Sequence, residues 1–595
     1  MKKLRMRKWD LLNVRPGYEG IDLYKQILDM ISQIDQTQQH IEGIESPEIK
    51  ELVMINNRIQ DLYTQVFHMD EYLFCLYAED VHDVENQALA DHGNRMKARM
   101  DTLMLAYSHF LADIPEEEWH LFIQHPEVSG TEGFLTEKRQ RVKDLLAPEI
   151  EKVIHSLSVH GFEGWVDQYE QEYAKLTVPV RNGEQTEHIP IERAYISAVL
   201  ADDRGTRQEI ASTLTMVCKE NAERFASIFN HFAGYRNELY RLRGWEQPLK
   251  EMLEQNRISE ESIDSMMNVL HKQKGMVQSF LERKAQLIGV EKVSWYDLYA
   301  PTFTAKTTLT YEDAMDIVVK QFYGFSDKLG KFAERAFEEG WVDAEPLYCK
   351  RHGAFCASFP RSKESRVMLS FTGNYQDVVT LAHELGHAYH NSLLHEEPGF
   401  SHNVGTGLAE TASTFAENLV LDAAIEAAET VEDRLSLLEM KITNGLKYIA
   451  YITGKFEFEQ AFYEKRSHGK LSAGEIVQLM EKTERDWFGD ALEDVHPYNW
   501  MTIAHFFNTE KAFYNLPYTI GYLFSNGIYS LYQQEKQSFS ERYDKLLRQS
   551  GNRTMEDLGE AFLQSDLRDA SFWEASIEPL QAALDQFMVE TEKYI

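Results

Sequence analysis

One apolar helical pattern with two histidines and a glutamate set together into it constrains this chain more than any other feature. Segment 374–394 carries Val378, Leu381, Ala382, Leu385 and Ala388 at helical spacing, a stripe that belongs in a protein interior. The same segment holds His383, Glu384 and His387. An unpaired imidazole or carboxylate in an interior is costly, and a shared metal ion removes that cost. Positions i and i+4 lie one above the other on a helix face, so both imidazoles can reach one ion. Glu384 lies about 100° round the helix from His383, placed to touch a metal-bound water without being a ligand. Asn374 and Asp377 predict an N-cap and a variant capping box. His-Glu-x-x-His is short enough to arise by chance on a solvated helix. The apolar context instead predicts a buried zinc site that activates water against an amide.

Such a site takes a third protein ligand and leaves a position for water. After His387 the chain turns at Glu397-Pro-Gly399 and again at Gly405-Thr-Gly407, and a second helical pattern opens at Leu408. Its first turn holds Glu410, far enough along for an antiparallel return beside the first helix, so Glu410 is the expected third ligand. Glu417, two turns on, is either an acceptor orienting a ligand histidine or an ordinary surface carboxylate. His390, His395 and His402 are neighbours rather than expected ligands; His390, three residues past His387, would be a third donor from one helix and crowd the metal.

Residues 354–359 and 366–371 read as a strand pair around the polar turn 360–365, directly before the metal helix. An extended peptide can add to such a strand edge through its backbone, which makes Ala354, Cys356 and Ser358 candidate substrate contacts; the alternative is a hairpin that only caps the lobe. Tetrahedral attack on an amide also needs donors for the developing oxyanion. His505, Tyr514, Tyr518 and Tyr522 lie close together in sequence and can supply them, or can be packing residues.

Elsewhere helical periodicity dominates. Long amphipathic helices are expected over 21–44 and 47–82, the second with Ser46 as N-cap and Pro47 at its first position. A β-prone break falls at 176–184. The formal net charge of −35 argues against nucleic acid and anionic membranes as partners. Four cysteines make no disulfide framework at this length and fit a reducing cytoplasm. Cys349, His352 and Cys356 could mimic a structural zinc site but lack a fourth ligand. The basic N-terminus is followed by no apolar core, so no secretory signal is read there.

These residues resemble peptidase family M3, and within it the oligoendopeptidase F branch. His383-Glu-Leu-Gly-His-Ala-Tyr-His390 and Leu408-Ala-Glu-Thr-Ala-Ser-Thr414 carry the likeness. Phe110-Leu-Ala-Asp-Ile-Pro-Glu-Glu-Glu-Trp119, Gly353-Ala-Phe-Cys356, Thr372-Gly-Asn-Tyr375 and Phe513-Tyr-Asn-Leu-Pro-Tyr-Thr-Ile-Gly-Tyr-Leu-Phe524 extend it over most of the chain. The resemblance implies a mainly α, multi-lobed zincin-type fold with a small β-sheet beside the zinc helix and a deep substrate channel. It implies one zinc per chain on His383, His387 and Glu410, with Glu384 as base, and assigns a histidine and tyrosines of the later segment to catalysis: Tyr522 first, then His505 and Tyr514. Three regions are expected: an N-terminal helical region 1–110, an oligopeptidase F-type domain 111–195 and a catalytic domain 196–595. The implied activity is cleavage of internal bonds in short peptides. A carboxypeptidase or dipeptidyl carboxypeptidase, or a non-catalytic peptide binder, are the alternatives. Oligomeric state is not readable.

Overall fold

The computed structural model describes residues 8–17, 22–44, 47–182, 185–305, 307–536 and 539–595. Helices dominate, as expected, and strands are few. The chain divides into two units that are discontinuous in sequence. The first combines residues 1–143, 307–423 and 531–565; the second combines 144–306, 424–530 and 566–595. These units follow packing, whereas the boundaries at 110 and 195 follow the order of motifs along the chain.

In the first unit, the expected helices appear as Leu23–Glu42 and Ile49–Glu79. Ser46 lies outside the described residues, and Glu48 occupies the N-cap without a side-chain hydrogen bond. Ile27, Ile34, Ile59, Leu62, Met96 and Leu103 recur at helical spacing and interlock into one buried cluster with Phe122 and Phe134. A second cluster joins Trp9, Val14, Tyr72 and Cys75 to Ala357, Phe359 and Met368 of a three-stranded sheet. The second unit is bound by aromatics: Phe229 stacks on Phe462 at 3.9 Å between ring centroids, and Tyr169 on Phe507 at 3.8 Å.

The break near residue 176 is a strand, β1 (Thr177–Asn182), and it pairs antiparallel with β2 (Gln185–Pro190), which periodicity did not signal. In the three-stranded sheet β3 (Val342–Asp343) pairs parallel with β5 (Glu364–Met368), which pairs antiparallel with β4 (Phe355–Phe359). The strand expected over 366–371 therefore begins two residues earlier and ends at Met368. Glu364 and Ser365 looked like turn residues because they are polar. Ser365 is instead buried, and Glu364 pairs with the buried Arg366 at 2.8 Å. Arg366 also donates to the Asp10 carbonyl at 2.6 Å, so its charge is satisfied inside the fold. Lys363, at φ 54°, closes the shortened turn.

Candidate active site

The helix that carries the two histidines, Tyr375–Leu394, starts with the expected device. Asn374 accepts from the Asp377 amide at 2.9 Å. The Asp377 carboxylate in return accepts from the amides of Thr372 and Gly373, at 2.6 and 2.9 Å, and from the Thr372 hydroxyl at 2.9 Å. Gly373 takes the positive φ of 100° that this turn needs. The helix entry is thus fixed by its own sequence neighbours.

The returning helix, Thr406–Ala427, brings Glu410 alongside. Gly386 permits that approach. A Cβ there would stand 2.5 Å from the Ala412 carbonyl oxygen and 2.7 Å from the Ser413 Cα, so a larger residue would force the two backbones apart at this crossing. Glu410 Oε2 lies 3.5 Å from His383 Nε2 and 3.7 Å from His387 Nε2, and the two Nε2 atoms are 3.1 Å apart. One donor atom from each of the three residues falls within 4.8 Å of the other two, a grouping that can hold a metal ion.

Glu417 is not an isolated surface carboxylate but a partner of His383. Its Oε1 lies 2.5 Å from His383 Nδ1, which fixes the ring and leaves Nε2 facing His387 and Glu410. The three neighbouring histidines are spoken for elsewhere. His390 Nε2 meets the Ser550 hydroxyl at 2.8 Å, His395 Nε2 meets the Ser358 hydroxyl at 2.9 Å, and His402 Nε2 meets the Glu397 carbonyl at 3.2 Å.

Burial sets the proton affinities here. It pushes the Glu384 carboxyl up to about 7; His383 draws it back while Glu410 and Glu417 add to the rise. Burial holds His387 down to about 4, against the pull of Glu410. At His383 burial opposes the charge, but the hydrogen bond and charge of Glu417, with Glu384 and Glu410, outweigh it and lift the imidazole to about 9. Glu384 is thereby poised to exchange a proton near neutrality.

Beside the metal helix lies β4. Cys356 Sγ is 3.6 Å from Asn391 Nδ2, and the Ser358 hydroxyl is bound to His395 as above. Ser358 carries a contact that sequence reading missed: its amide donates to Glu71 Oε2 at 3.1 Å. Glu71 sits 287 positions away, on the Ile49–Glu79 helix, and no local pattern could have paired them. The cysteines are all free, and the Cys349 thiol rests 3.7 Å from the Glu79 carbonyl.

The aromatic candidates lie in the second unit. His505 Nδ1 meets Asn515 Oδ1 at 3.1 Å, and its ring stacks on Tyr518, 5.7 Å between centroids. The Tyr518 hydroxyl donates to that of Tyr514 at 3.1 Å. Tyr522 is buried, its ring stacked on Tyr448 at 4.5 Å.

Two histidines one turn apart, a carboxylate from a returning helix and a buried glutamate beside the first histidine define a helical metallopeptidase. The sequence profile of Peptidase family M3 matches residues 198–578, well over half of the chain. The chain belongs to peptidase family M3. It is 20% identical over 478 residues to an oligoendopeptidase F homolog of Lactococcus lactis subsp. lactis, covering 79% of each chain. It is 21% identical over 576 residues to oligopeptidase PepF of Bacillus subtilis, covering 96% of this chain and 79% of that one. These relatives place it in the oligoendopeptidase F branch. In fold it is similar to a putative peptidase from Chlamydophila abortus, with a TM-score of 0.81 at 16% identity over 100% of this chain and 99% of that one. It is also similar to oligoendopeptidase-F from Enterococcus faecium, with a TM-score of 0.70 at 17% identity over 96% and 98%.

Proposed function

We propose that the protein is a zinc-dependent endopeptidase that hydrolyses internal bonds of short oligopeptides. The observation that carries this reading is the convergence of His383, His387 and Glu410 with Glu384 buried beside them. Two nitrogens at 2.0–2.1 Å from one tetrahedral zinc stand about 3.4 Å apart. The 3.1 Å between the two Nε2 atoms is close to that, and a donor set of two imidazoles and one carboxylate is typical of hydrolytic zinc. When bound, zinc supplies a Lewis acid that makes water a nucleophile at neutral pH and polarises the scissile carbonyl.

Glu384 accepts a proton from the attacking water and hands it to the departing amine, which its elevated proton affinity suits. Glu417 keeps His383 in the tautomer that presents Nε2. We assign Tyr522 to stabilisation of the oxyanion, with His505 and Tyr514 as further donors; the support is their match to the family's tyrosine-rich segment. Of the strand candidates Ala354, Cys356 and Ser358, Cys356 and its neighbour Ala354 are assigned to backbone pairing with the peptide, supported by the edge position of β4, while the Ser358 amide is held by Glu71. The names of the relatives favour an endopeptidase over a carboxypeptidase or dipeptidyl carboxypeptidase. We place the enzyme in the cytoplasm on its few, unpaired cysteines. Among the described residues no helix is long and apolar enough to cross a membrane.

An internally quenched peptide blocked at both ends tests the reading. Cleavage within the peptide, abolished by a chelator and restored by zinc, is expected. Cleavage confined to peptides with a free C-terminus would instead establish a carboxypeptidase.

A further inference from the structure

We propose that Glu71 closes the far end of the peptide-binding edge, limiting how many substrate residues can pair with β4 on one side of the scissile bond. This rests on the reading of β4 as the strand that pairs with substrate.

Among the described residues β4 lies at the margin of its sheet, paired with no strand but β5. In an antiparallel ladder, residues alternate between facing the partner strand and facing away, with both their N–H and C=O. The Ser358 amide is turned away, since it donates to Glu71. Cys356, two residues earlier, therefore also offers its backbone groups to the free edge, and Ala354, one residue before the start of β4, takes the next place when that alternation is carried back.

The side chains show where this edge runs. Cys356 reaches Asn391 and Ser358 reaches His395, so two strand residues keep pace with four helix residues. The two spacings agree, about 6.7 Å along a strand and about 6 Å along a helix. One further step back sets Ala354 level with His387. The open edge thus begins beside the metal ligands and proceeds away from them. It reaches Glu71 at Ser358, about 12 Å along the helix axis from His387.

A peptide added to this edge finds free backbone groups at Ala354 and Cys356. With one bonding residue in every two, these hold about three substrate residues. The next donor in line, the Ser358 amide, is already satisfied by the carboxylate. A longer peptide must displace Glu71, leaving a half-buried carboxylate without its donor, or turn away from the strand. Glu71 is a positioning and length-selecting residue on this account.

The test uses blocked, quenched peptides lengthened one residue at a time on either side of one scissile bond, with cleavage sites read by mass spectrometry. For the wild-type enzyme, kcat/KM should rise on one side over about three residues and then stop rising. In Glu71→Ala the next residue should give a further gain of roughly fivefold, the scale of one added hydrogen bond. Glu71→Gln keeps an acceptor for the Ser358 amide and should retain the wild-type profile. Single N-methylation of the substrate amides, read on the wild-type enzyme, tests the underlying strand pairing. If no methylated position lowers kcat/KM, β4 does not pair with substrate and the proposal falls with that reading. If methylation matters but Glu71→Ala keeps the wild-type length profile, pairing stands and the role of Glu71 is overturned. Should Glu71→Ala fail to fold, the wild-type series decides alone: a gain that continues past the plateau overturns the proposal.

Discussion

Between Asn374 and Glu417 the donor atoms are restrained by neighbours nearby in the chain; between His505 and Tyr522 much of the restraint comes from afar. In the first stretch the capping box, the one-turn spacing of the histidines and the glycine crossing at Gly386 together set the site. A glycine, Gly373, absorbs the unusual backbone angle at its entry. In the second stretch, Arg236 clamps the carbonyls of Asn508 and Thr509 at 2.7 and 3.0 Å, and Tyr448 supports Tyr522. There the positive φ, 51°, falls on buried Phe513, a residue type that enters this region only under surrounding constraint. A site fixed by local pattern can be read from sequence, and one fixed by distant packing cannot.

The largest test of this contrast is Glu384→Gln. It should keep the metal and lose about 10²–10⁴ in kcat, because the amide retains the shape but accepts no proton. Metal content and peptide turnover measured on one preparation check it. The wild-type acid limb bears on the same group. Burial raises Glu384 to about 7 and only its carboxylate is a base, so kcat/KM should fall as pH drops below that value; a bound cation moves the fall lower.

Next in size is Tyr522→Phe, with an expected loss of roughly 10²–10³ in kcat and little change in KM, since an oxyanion donor acts in the transition state. An unchanged kcat would reduce Tyr522 to a stacking partner of Tyr448 and move the role toward His505 or Tyr514. Glu417→Ala should weaken metal binding by about 10- to 100-fold, measured by competition with a chelator, because His383 loses the acceptor that orients it. The smallest effect is expected from Gly386→Ala. Its added methyl meets backbone rather than a side chain that can swing away, and overpacking of this kind costs about 1–3 kcal/mol. A lowered Tm with reduced metal retention would show that the crossing itself holds Glu410 in reach.

The helical class, the helix of the two histidines with its cap, and the approach of Glu410 and Glu417 to those histidines were all legible, since each depends on spacing within one or two helices. The start of β5 was not, because Glu364 and Ser365 are polar, yet Ser365 is buried and Glu364 pairs with the buried Arg366, whose other partner, the Asp10 carbonyl, lies far away in the chain. β3 is only two residues long and offers no alternation to detect. Glu71 was invisible for a different reason: it is one acidic residue among 96, given meaning only by the amide it reaches.

Ser358 on His395 and Cys356 on Asn391 lash β4 to the helix that carries the ligands. Strand and ligands therefore travel as one piece. A peptide laid on β4 is measured against the metal by a ruler whose marks do not slide, whatever the remainder of the chain does. Breathing of the protein can change how readily a peptide enters or leaves. On the proposed reading of β4, which bond is presented for cleavage follows from how the peptide seats on this strand.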